Sequence, residues 1–151
     1  MDASVKVACA QLEPVILERD ATIEKMASTC AEAAAEGAKL VVFPESFVSV
    51  YPSSRWERYM AEWEKSDEAK ALFARLARES VELPSEAADR IAAVARETGV
   101  WLAVGVNERD RGTIYNALLL YAPDGSLALH HRKLMPTNHE RMVWGLGTGD
   151  G

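Results

Sequence analysis

Two charged residues stand directly after apolar, strand-like segments of this sequence. Glu45 follows Leu40-Val41-Val42-Phe43-Pro44, and Lys133 follows His130-His131-Arg132. A carboxylate can take the proton of a thiol, and an ammonium can stabilise negative charge that develops on an oxygen or nitrogen. The two residues are therefore candidates for a base and its charge-stabilising partner, and we expect them to lie close together because both follow strand ends of one sheet region. Each one in isolation also fits a solvated surface charge.

A second carboxylate, Glu140, follows shortly after Lys133 in Asn138-His139-Glu140-Arg141. A carboxylate close to an active lysine can orient the ammonium and share its protons. The alternative for Glu140 is an ion pair with Arg141 or Arg132. The sequence leaves both interpretations open.

The first part of the chain predicts a strand, a helix and a second strand that carry Glu45 to the end of a sheet. Residues 5–12 are typical of a short buried strand. Asp20 is the expected N-cap of the helix, and Gly37 suits the left-handed position just after it. Residues 40–43 form the second strand. A strand–helix–strand unit indicates a parallel pair joined by a crossover helix.

The segment after Glu45 is rich in aromatic residues and has no regular hydrophobic period. Residues 46–65 contain Phe47, Tyr51, Trp56, Tyr59 and Trp63. Insertions after the carboxyl end of a strand are where α/β proteins place ligand sites. The alternative is that these rings only pack the insertion onto the sheet.

The rest of the chain predicts two helices and three strands that lead to Lys133. One helix covers residues 68–78, and another begins after Pro84-Ser85 and ends at Gly99. Apolar strands follow at residues 100–106, 114–121 and 126–131. Pro123-Asp124-Gly125 indicates a tight hairpin turn, because proline fixes φ and glycine permits a positive φ. This alternation of strands and helices indicates the α/β fold class.

The order of these motifs resembles the N-terminal half of the nitrilase (carbon–nitrogen hydrolase) superfamily. The resemblance extends over nearly the whole chain. It rests on Val7-Ala8-Cys9-Ala10-Gln11, Phe43-Pro44-Glu45, His131-Arg132-Lys133, Pro136-Thr137 with His139-Glu140-Arg141, and Trp144-Gly145. Residues 135–137 and 141–145 resemble the nitrilase branch more than the amidase or carbamoylase branches.

The resemblance implies a role for each candidate residue. Glu45 is the general base, Lys133 is the charge-stabilising member and Glu140 is an additional active-site glutamate. Tyr51 and Trp144 are the expected substrate-binding residues. The implied reaction converts a small-molecule nitrile to a carboxylic acid and ammonia through a cysteine thioimidate and thioester, with no metal and no organic cofactor. The sequence does not specify an aliphatic, aryl or arylaceto nitrile.

The family's nucleophilic cysteine has no counterpart in this sequence. Cys9 falls in the first predicted strand and Cys30 on the apolar face of the first predicted helix, so both are expected to be small buried residues. We therefore expect residues 1–151 to be the N-terminal portion of a single hydrolase domain, truncated before the nucleophile and inactive alone. The implied fold is a four-layer α-β-β-α sandwich, which relatives assemble into homo-oligomers.

Composition excludes several other classes of partner. The net charge of −6 disfavours a nucleic-acid partner. No apolar run reaches the roughly 20 residues that span a bilayer, and the N-terminus lacks the layout of a signal peptide. Two cysteines do not suggest a disulfide framework, so we expect a cytoplasmic protein. The three histidines lack the paired spacing of metal ligands, so we expect no metal site.

Three alternative functions remain compatible with the sequence. The chain could belong to an amidase or carbamoylase of the same superfamily, or it could be a non-catalytic fragment that only binds or assembles with others. It could also be an unrelated α/β binding module. That last alternative leaves unexplained why Glu45, Lys133 and residues 136–145 occur in the family's order. A Cys-Trp-Glu reading frame downstream would favour the enzyme.

Overall fold

A mixed five-stranded sheet organises the part of the chain that the computed structural model describes, residues 4–61 and 66–149. The strand order is β1-β2-β3-β4-β5, in which β1 to β3 are parallel and β4 and β5 are antiparallel additions. In chain order the elements are β1 (Val7–Cys9), α1 (Arg19–Ala35), β2 (Leu40–Val42), α2 (Ser54–Ala61), α3 (Ser66–Arg78), α4 (Glu86–Thr98), β3 (Trp101–Asp110), β4 (Thr113–Tyr121), β5 (Leu127–Arg132) and a 3-10 helix (Asn138–Met142). The predicted α/β class is confirmed.

The opening strand–helix–strand unit has the predicted parallel pairing. α1 buries Ile23, Met26 and Cys30, whose spacing places them on one helical face, and it packs against α4. Gly37, with a φ of 89°, lies just after the helix as predicted. The predicted cap is wrong: the N-cap is Glu18, which makes no side-chain capping bond, and Asp20 lies in the first turn. The carboxylate of Asp20 in the first turn still stabilises the helix, because it lies near the positive end of the helix dipole.

One face of the sheet packs against α1 and α4 and forms the main core. Alternate residues of the strands point to this face, as the two-residue period of a strand requires. The buried strand residues of this core are Val41, Leu102, Val104, Val106, Ala117, Leu119 and Tyr121.

The opposite face of the sheet presents apolar side chains to solvent. Val7 lies opposite Leu40, and Leu40 lies opposite Trp101. Their exposed fractions are 49% for Val7 and 41% for Trp101, and Leu118 on the same face is 38% exposed. We refer to this surface, defined by Val7, Leu40, Trp101 and Leu118, as the open face.

The prediction that Cys9 is buried is wrong, and the predicted buried strand over residues 5–12 is shorter and more exposed than expected. β1 has only three residues and lies at the edge of the sheet. Its central residue, Ala8, packs against the main core, whereas Cys9 points to the open face and is exposed. A period of two shows which residues share a face but not which face is covered. Cys30 is buried, as predicted.

The segment predicted to be irregular contains a helix, α2. Trp56 and Met60 lie one helical turn apart on α2 and pack with Leu72 and Leu76 of α3 into a second, smaller core. α2 has only eight residues, fewer than the roughly 11-residue window in which a helical period is recognised, and this is why local periodicity did not reveal it. Trp63 lies outside the described residues.

The remaining predicted elements are confirmed with small shifts of their ends. The hydroxyl of Ser85 caps α4 by accepting a hydrogen bond from the backbone N–H of Ala88 at 3.2 Å, and Gly99 ends the helix with a φ of 67°. The hairpin between β4 and β5 turns at Gly125, which has a φ of 84°. Within the described part of the chain, no helix is long and apolar enough to cross a bilayer.

A buried ion cluster fixes the end of β5, the strand that precedes Lys133. Glu108 on β3 is 2% exposed and accepts hydrogen bonds from Arg132 at 2.5 and 2.9 Å. A nitrogen of His130 lies 2.7 Å from the same carboxylate. Burial by itself raises the pKa of Glu108, but the hydrogen bonds from Arg132 and His130 outweigh it, and the net pKa is lowered. Glu108 therefore holds Arg132, the neighbour of Lys133, as an ionised partner.

Candidate active site

The loop that carries Glu45 lies directly on β3 because Gly105 leaves room for it. After β2, the N–H of Phe43 still bonds to the carbonyl of Ala103 at 2.8 Å, and the chain then turns across the sheet. A Cβ atom at Gly105 would lie 2.5 Å from the backbone nitrogen of Ser46 and 2.7 Å from the Cα atom of Glu45. Any larger residue at position 105 would therefore displace the loop. The glycine fixes the height of the Glu45 backbone above the sheet.

Lys133 meets Glu45 in space, although the two residues are 88 positions apart in sequence. The Nζ atom of Lys133 lies 2.9 Å from Oε1 of Glu45. The same Nζ atom lies 2.9 Å from Oε2 and 3.0 Å from Oε1 of Glu140. The predicted proximity of Glu45 and Lys133 is confirmed, and the ammonium bridges two carboxylates.

Glu140 points into the same cluster, as predicted. It occupies the third position of the 3-10 helix, where its side chain accepts the backbone N–H of Thr137 in a capping box. The hydroxyl of Tyr51 donates a second hydrogen bond to Glu140 at 2.6 Å. Among the described contacts, Glu140 forms no ion pair with Arg141 or Arg132. Arg141 donates to the carbonyl of Pro136, and Arg132 donates to Glu108 and Asp110 of β3.

The contacts within the cluster favour its ionised form. Burial lowers the pKa of Lys133, but the hydrogen bonds to Glu140 and Glu45 outweigh that effect, and the net pKa is raised. Burial raises the pKa of Glu140, but the hydrogen bonds from Lys133, Tyr51 and Thr137 outweigh it, and the net pKa is lowered. Burial and the bond to Glu140 both raise the pKa of Tyr51. At neutral pH the site therefore holds an ammonium, an ionised Glu140 and a protonated phenol.

Tyr51 and Trp144 form one wall beside the ammonium. Their rings meet edge to face, with centroids 5.5 Å apart and planes inclined by 67°. The Nζ atom of Lys133 lies 5.9 Å from the centre of a ring of Trp144. Tyr51 is 40% exposed, whereas Trp144 is 3% exposed. Tyr51 is therefore the residue of this wall that faces solvent, and Trp144 supports it from behind.

Three polar residues that the sequence did not indicate lie in or beside the cluster. Asn116 donates from Nδ2 to Oε1 of Glu45 at 2.5 Å. Asn107 bonds to the indole N–H of Trp144. Glu57 is 2% exposed on α2, and its Oε1 atom has no hydrogen-bond partner among the described residues. For the two asparagines, the sequence signal was a polar residue within an otherwise apolar strand. Nothing in the local sequence indicated that Glu57 would be buried.

This arrangement is suited to proton transfer and to the stabilisation of a developing negative charge. The side chain of Glu45 is 48% exposed and can accept a proton from a group that approaches from solvent. Lys133 offers its charge at the same point, and Glu140 holds the ammonium from the buried side. Among residues 4–61 and 66–149, no group of three or more His, Cys, Asp and Glu side chains is placed to hold a metal ion.

Replacing Glu57 by glutamine is expected to stabilise the protein increasingly as the pH rises. Burial, together with the negative charge of Glu140, raises the pKa of Glu57 against the opposing effect of Lys133. The native state therefore holds this proton at pH values where the unfolded chain has released it, and stability falls as pH rises above about 4.3, the ordinary pKa of a glutamate. Glutamine avoids that loss. We expect the variant to gain about 1–3 kcal/mol over the parent protein near pH 8 and little near pH 4.

Urea unfolding between pH 4 and pH 8 measures this difference. Glu32→Gln, an exposed substitution on α1, is the matched control and should show no pH-dependent gain. If the free energies of unfolding of Glu57→Gln and the parent protein differ by the same amount at every pH in this range, burial does not raise the pKa of the Glu57 carboxyl.

The sequence and the fold both match known carbon–nitrogen hydrolases. The family model for carbon-nitrogen hydrolases matches residues 6–150. The chain belongs to this family. It is 40% identical to Nitrilase 3 from an unknown prokaryotic organism over 147 residues, which are 97% of this chain and 43% of the relative. It is 40% identical to an aliphatic nitrilase of Sinorhizobium fredii over 95% of this chain and 46% of the relative. It is 37% identical to Nitrilase 1 of Arabidopsis thaliana over 97% of this chain and 42% of the relative.

Solved structures of the same superfamily share the fold. An amidase from Nesterenkonia sp. superposes with a TM-score of 0.64 at 18% identity, covering 95% of this chain and 48% of the amidase. The NitN amidase of strain AN1 superposes with a TM-score of 0.66 at 19% identity, covering 95% of this chain and 50% of the amidase. The chain spans less than half the length of each of the three nitrilases described in the preceding paragraph.

Proposed function

We propose that this chain is the N-terminal part of a nitrilase that converts a nitrile to a carboxylic acid and ammonia. The observation that carries the proposal is the ammonium of Lys133, which lies 2.9 Å from Glu45 and 2.9 Å from Glu140. A base and a cation at one point can activate a nucleophile and stabilise the charge that its attack creates. The family assigned above performs chemistry of this kind on carbon–nitrogen bonds.

In the proposed reaction, Glu45 takes the proton of a cysteine thiol as the sulfur attacks the nitrile carbon. Lys133 stabilises the charge that builds up on the nitrogen, and that nitrogen then takes up the proton held by the Glu45–Lys133 pair, which gives a thioimidate. Water then adds to the thioimidate and ammonia leaves, which forms a thioester. A second water hydrolyses the thioester to the acid and frees the thiol. Glu140 keeps Lys133 charged and oriented through both additions.

The preference for a nitrile over an amide is supported by the sequence relatives. Proteins 35–40% identical to this chain are named as nitrilases or as bifunctional nitrilase/nitrile hydratases. The amidases among the structural neighbours are only 18–19% identical. An amidase that uses the same three charged residues is the second candidate, because an amide carbonyl also develops negative charge on attack.

We propose that the nucleophilic cysteine and the rest of the domain lie outside residues 1–151. Burial raises the pKa of the Cys30 thiol to about 12, so that thiol is a poor nucleophile. Cys9 is exposed, and no described hydrogen bond joins it to Glu45. The open face supports the same proposal, since its apolar side chains suit further strands of a sandwich. We further propose a cytoplasmic homo-oligomer, in keeping with the family resemblance.

The experiment for this proposal measures ammonia release from a panel of aliphatic, aryl and arylaceto nitriles. The purified 151-residue chain is expected to release none, and the protein that carries this chain together with its downstream half is expected to be active. A Cys9→Ser, Cys30→Ser double variant of that longer protein should keep its activity. Activity of the short chain that disappears in the same double variant would place the nucleophile at Cys9 or Cys30 and contradict the proposal.

A further inference from the structure

Two buried asparagines lie side by side under the candidate site. Asn107 on β3 and Asn116 on β4 are direct partners in the register of the two strands. Asn107 is fully buried and Asn116 is 5% exposed. A side-chain amide in such a position costs free energy unless its donors and acceptor are bonded. The partners of these two amides therefore show what the pair holds in place.

Asn116 contacts both members of the candidate catalytic pair. Its Nδ2 atom donates to Oε1 of Glu45 at 2.5 Å, and its backbone carbonyl accepts the N–H of Lys133 at 2.8 Å. A carboxylate only accepts hydrogen bonds, so the nitrogen of the amide must be the atom that faces Glu45. One residue thus fixes the side chain of Glu45 and the backbone of Lys133.

Asn107 makes the equivalent contacts with the wall of the site. Its Oδ1 atom accepts the indole N–H of Trp144 at 2.8 Å. Its Nδ2 atom donates to the backbone carbonyl of Val50, the neighbour of Tyr51, at 2.8 Å. Both residues of the Tyr51–Trp144 wall are therefore tied to one side chain of β3.

We propose that Asn116 and Asn107 are positioning residues of this site. Asn116 holds the Glu45–Lys133 pair in position, and Asn107 holds the Tyr51–Trp144 wall in position. This inference rests on the proposed function and extends it to two residues that do not touch the substrate. Because the two asparagines are adjacent in the sheet, the pair also fixes the spacing between the charged groups and the wall.

The bond from Asn116 matters because Glu45 is otherwise weakly constrained. Its side chain is 48% exposed, and its other described side-chain partner is Lys133. Without the amide, the carboxylate can rotate with the flexible ammonium into orientations that do not face the incoming thiol. Misplacement of a reacting group by about 1 Å can cost on the order of 100-fold in rate. Asn116 therefore acts on the chemical step through Glu45.

The kinetic test compares Asn116→Ala with Asn116→Asp in the active protein that carries this chain. Asn116→Ala should lower kcat by about 10- to 100-fold with little change in KM. Asn116→Asp keeps the shape but replaces the donor with a second carboxylate, and two adjacent carboxylates share a proton. The acid limb of the kcat/KM profile should therefore move to higher pH in Asn116→Asp, an effect that simple loss of stability does not produce.

Thr98→Ala is the matched control for loss of stability. It removes a hydrogen bond of 2.6 Å from the Thr98 hydroxyl to the carbonyl of Val94, on a helix that carries no residue of the site. Its kcat and pH profile should equal those of the parent protein. If Asn116→Ala behaves like Thr98→Ala, or if Asn116→Asp leaves the pH profile unchanged, the positioning role of Asn116 is refuted.

The role of Asn107 predicts a different kinetic change. Asn107→Asp keeps the acceptor for Trp144 but loses the donor to Val50, so the wall should loosen while the charged pair stays in place. KM should rise by about fivefold or more with kcat within about twofold of the parent value. A fall in kcat with unchanged KM would overturn the division of roles between the two asparagines.

A measurement without substrate separates this inference from the proposed function. In the NMR spectrum of the complete protein that carries this chain, recorded without substrate, the side-chain amide signal of Asn116 should shift as the carboxylates titrate, because its donor bonds to Glu45. In Glu45→Gln that pH response should disappear, whereas Glu32→Gln should retain it. A response that persists in Glu45→Gln would refute the Asn116 contact. The result stands even if the protein proves to hydrolyse no nitrile.

Discussion

Replacing Glu45 by glutamine in the complete protein is expected to lower nitrile turnover by about 100- to 10,000-fold and to leave the fold intact. Glutamine keeps the size of the side chain and can still bond to Asn116 and Lys133, but its amide cannot accept the thiol proton. The loss should appear in kcat and in kcat/KM alike, because the proton is transferred in the transition state. Ammonia release under saturating nitrile measures it.

The control for Glu45→Gln is Glu97→Gln, an exposed substitution of the same type on α4. It should retain the turnover of the parent protein. Circular dichroism and thermal unfolding should show the same fold in all three proteins. If Glu45→Gln keeps more than about a tenth of the parent activity, Glu45 is not the base of this site.

Replacing Lys133 by alanine is expected to be equally damaging to turnover, and it should also cost stability. The ammonium is the cation that lies between Glu45 and Glu140, so its removal leaves a buried Glu140 carboxylate without its charged partner. Breaking a buried pair in this way costs about 3–5 kcal/mol, less where solvent reaches the group. The pKa of Glu140, now lowered by Lys133, should rise in the variant.

The measurements for Lys133→Ala are ammonia release and urea unfolding at pH 5 and pH 8. The loss of stability should be smaller at pH 5 than at pH 8, because a Glu140 whose pKa has risen is more easily protonated at the lower pH. Lys70→Ala, a change of an exposed lysine on α3, is the control and should alter neither quantity. Turnover comparable to that of the parent protein in Lys133→Ala would exclude the ammonium from the reaction.

The charged centre of the site could be predicted from sequence because its members follow strand ends. Glu45 comes after a short apolar strand and proline, and Lys133 comes directly after β5. β2 and β5 run in the same direction, so their carboxyl ends lie at one edge of the sheet. The loop after β2 then crosses β3 at Gly105 and carries Glu45 towards Lys133, a step that the local patterns did not show. Local patterns also predicted the parallel pair of β1 and β2 and the start of α4 after Ser85.

The features that the sequence did not reveal depend on contacts between distant segments. Asn116 acquires its role from Glu45, which is 71 positions away, and no local pattern carries that information. Cys9 is exposed because its strand lies at a sheet edge and points to the open face, and strand periodicity does not determine which face is covered. The helix α2 was missed for a different reason, because its eight residues are too short a segment to show a clear helical period.

The most direct test of this account is to identify the residue that carries the acyl group during turnover. The complete protein is incubated with an excess of a slowly hydrolysed nitrile, quenched in acid, digested and analysed by mass spectrometry. We predict a thioester adduct on a single cysteine beyond residue 151, and no adduct in Glu45→Gln. An adduct on Cys9 or Cys30, or a full adduct in Glu45→Gln, would contradict the claim that the Glu45–Lys133 pair activates a cysteine supplied by the rest of the domain.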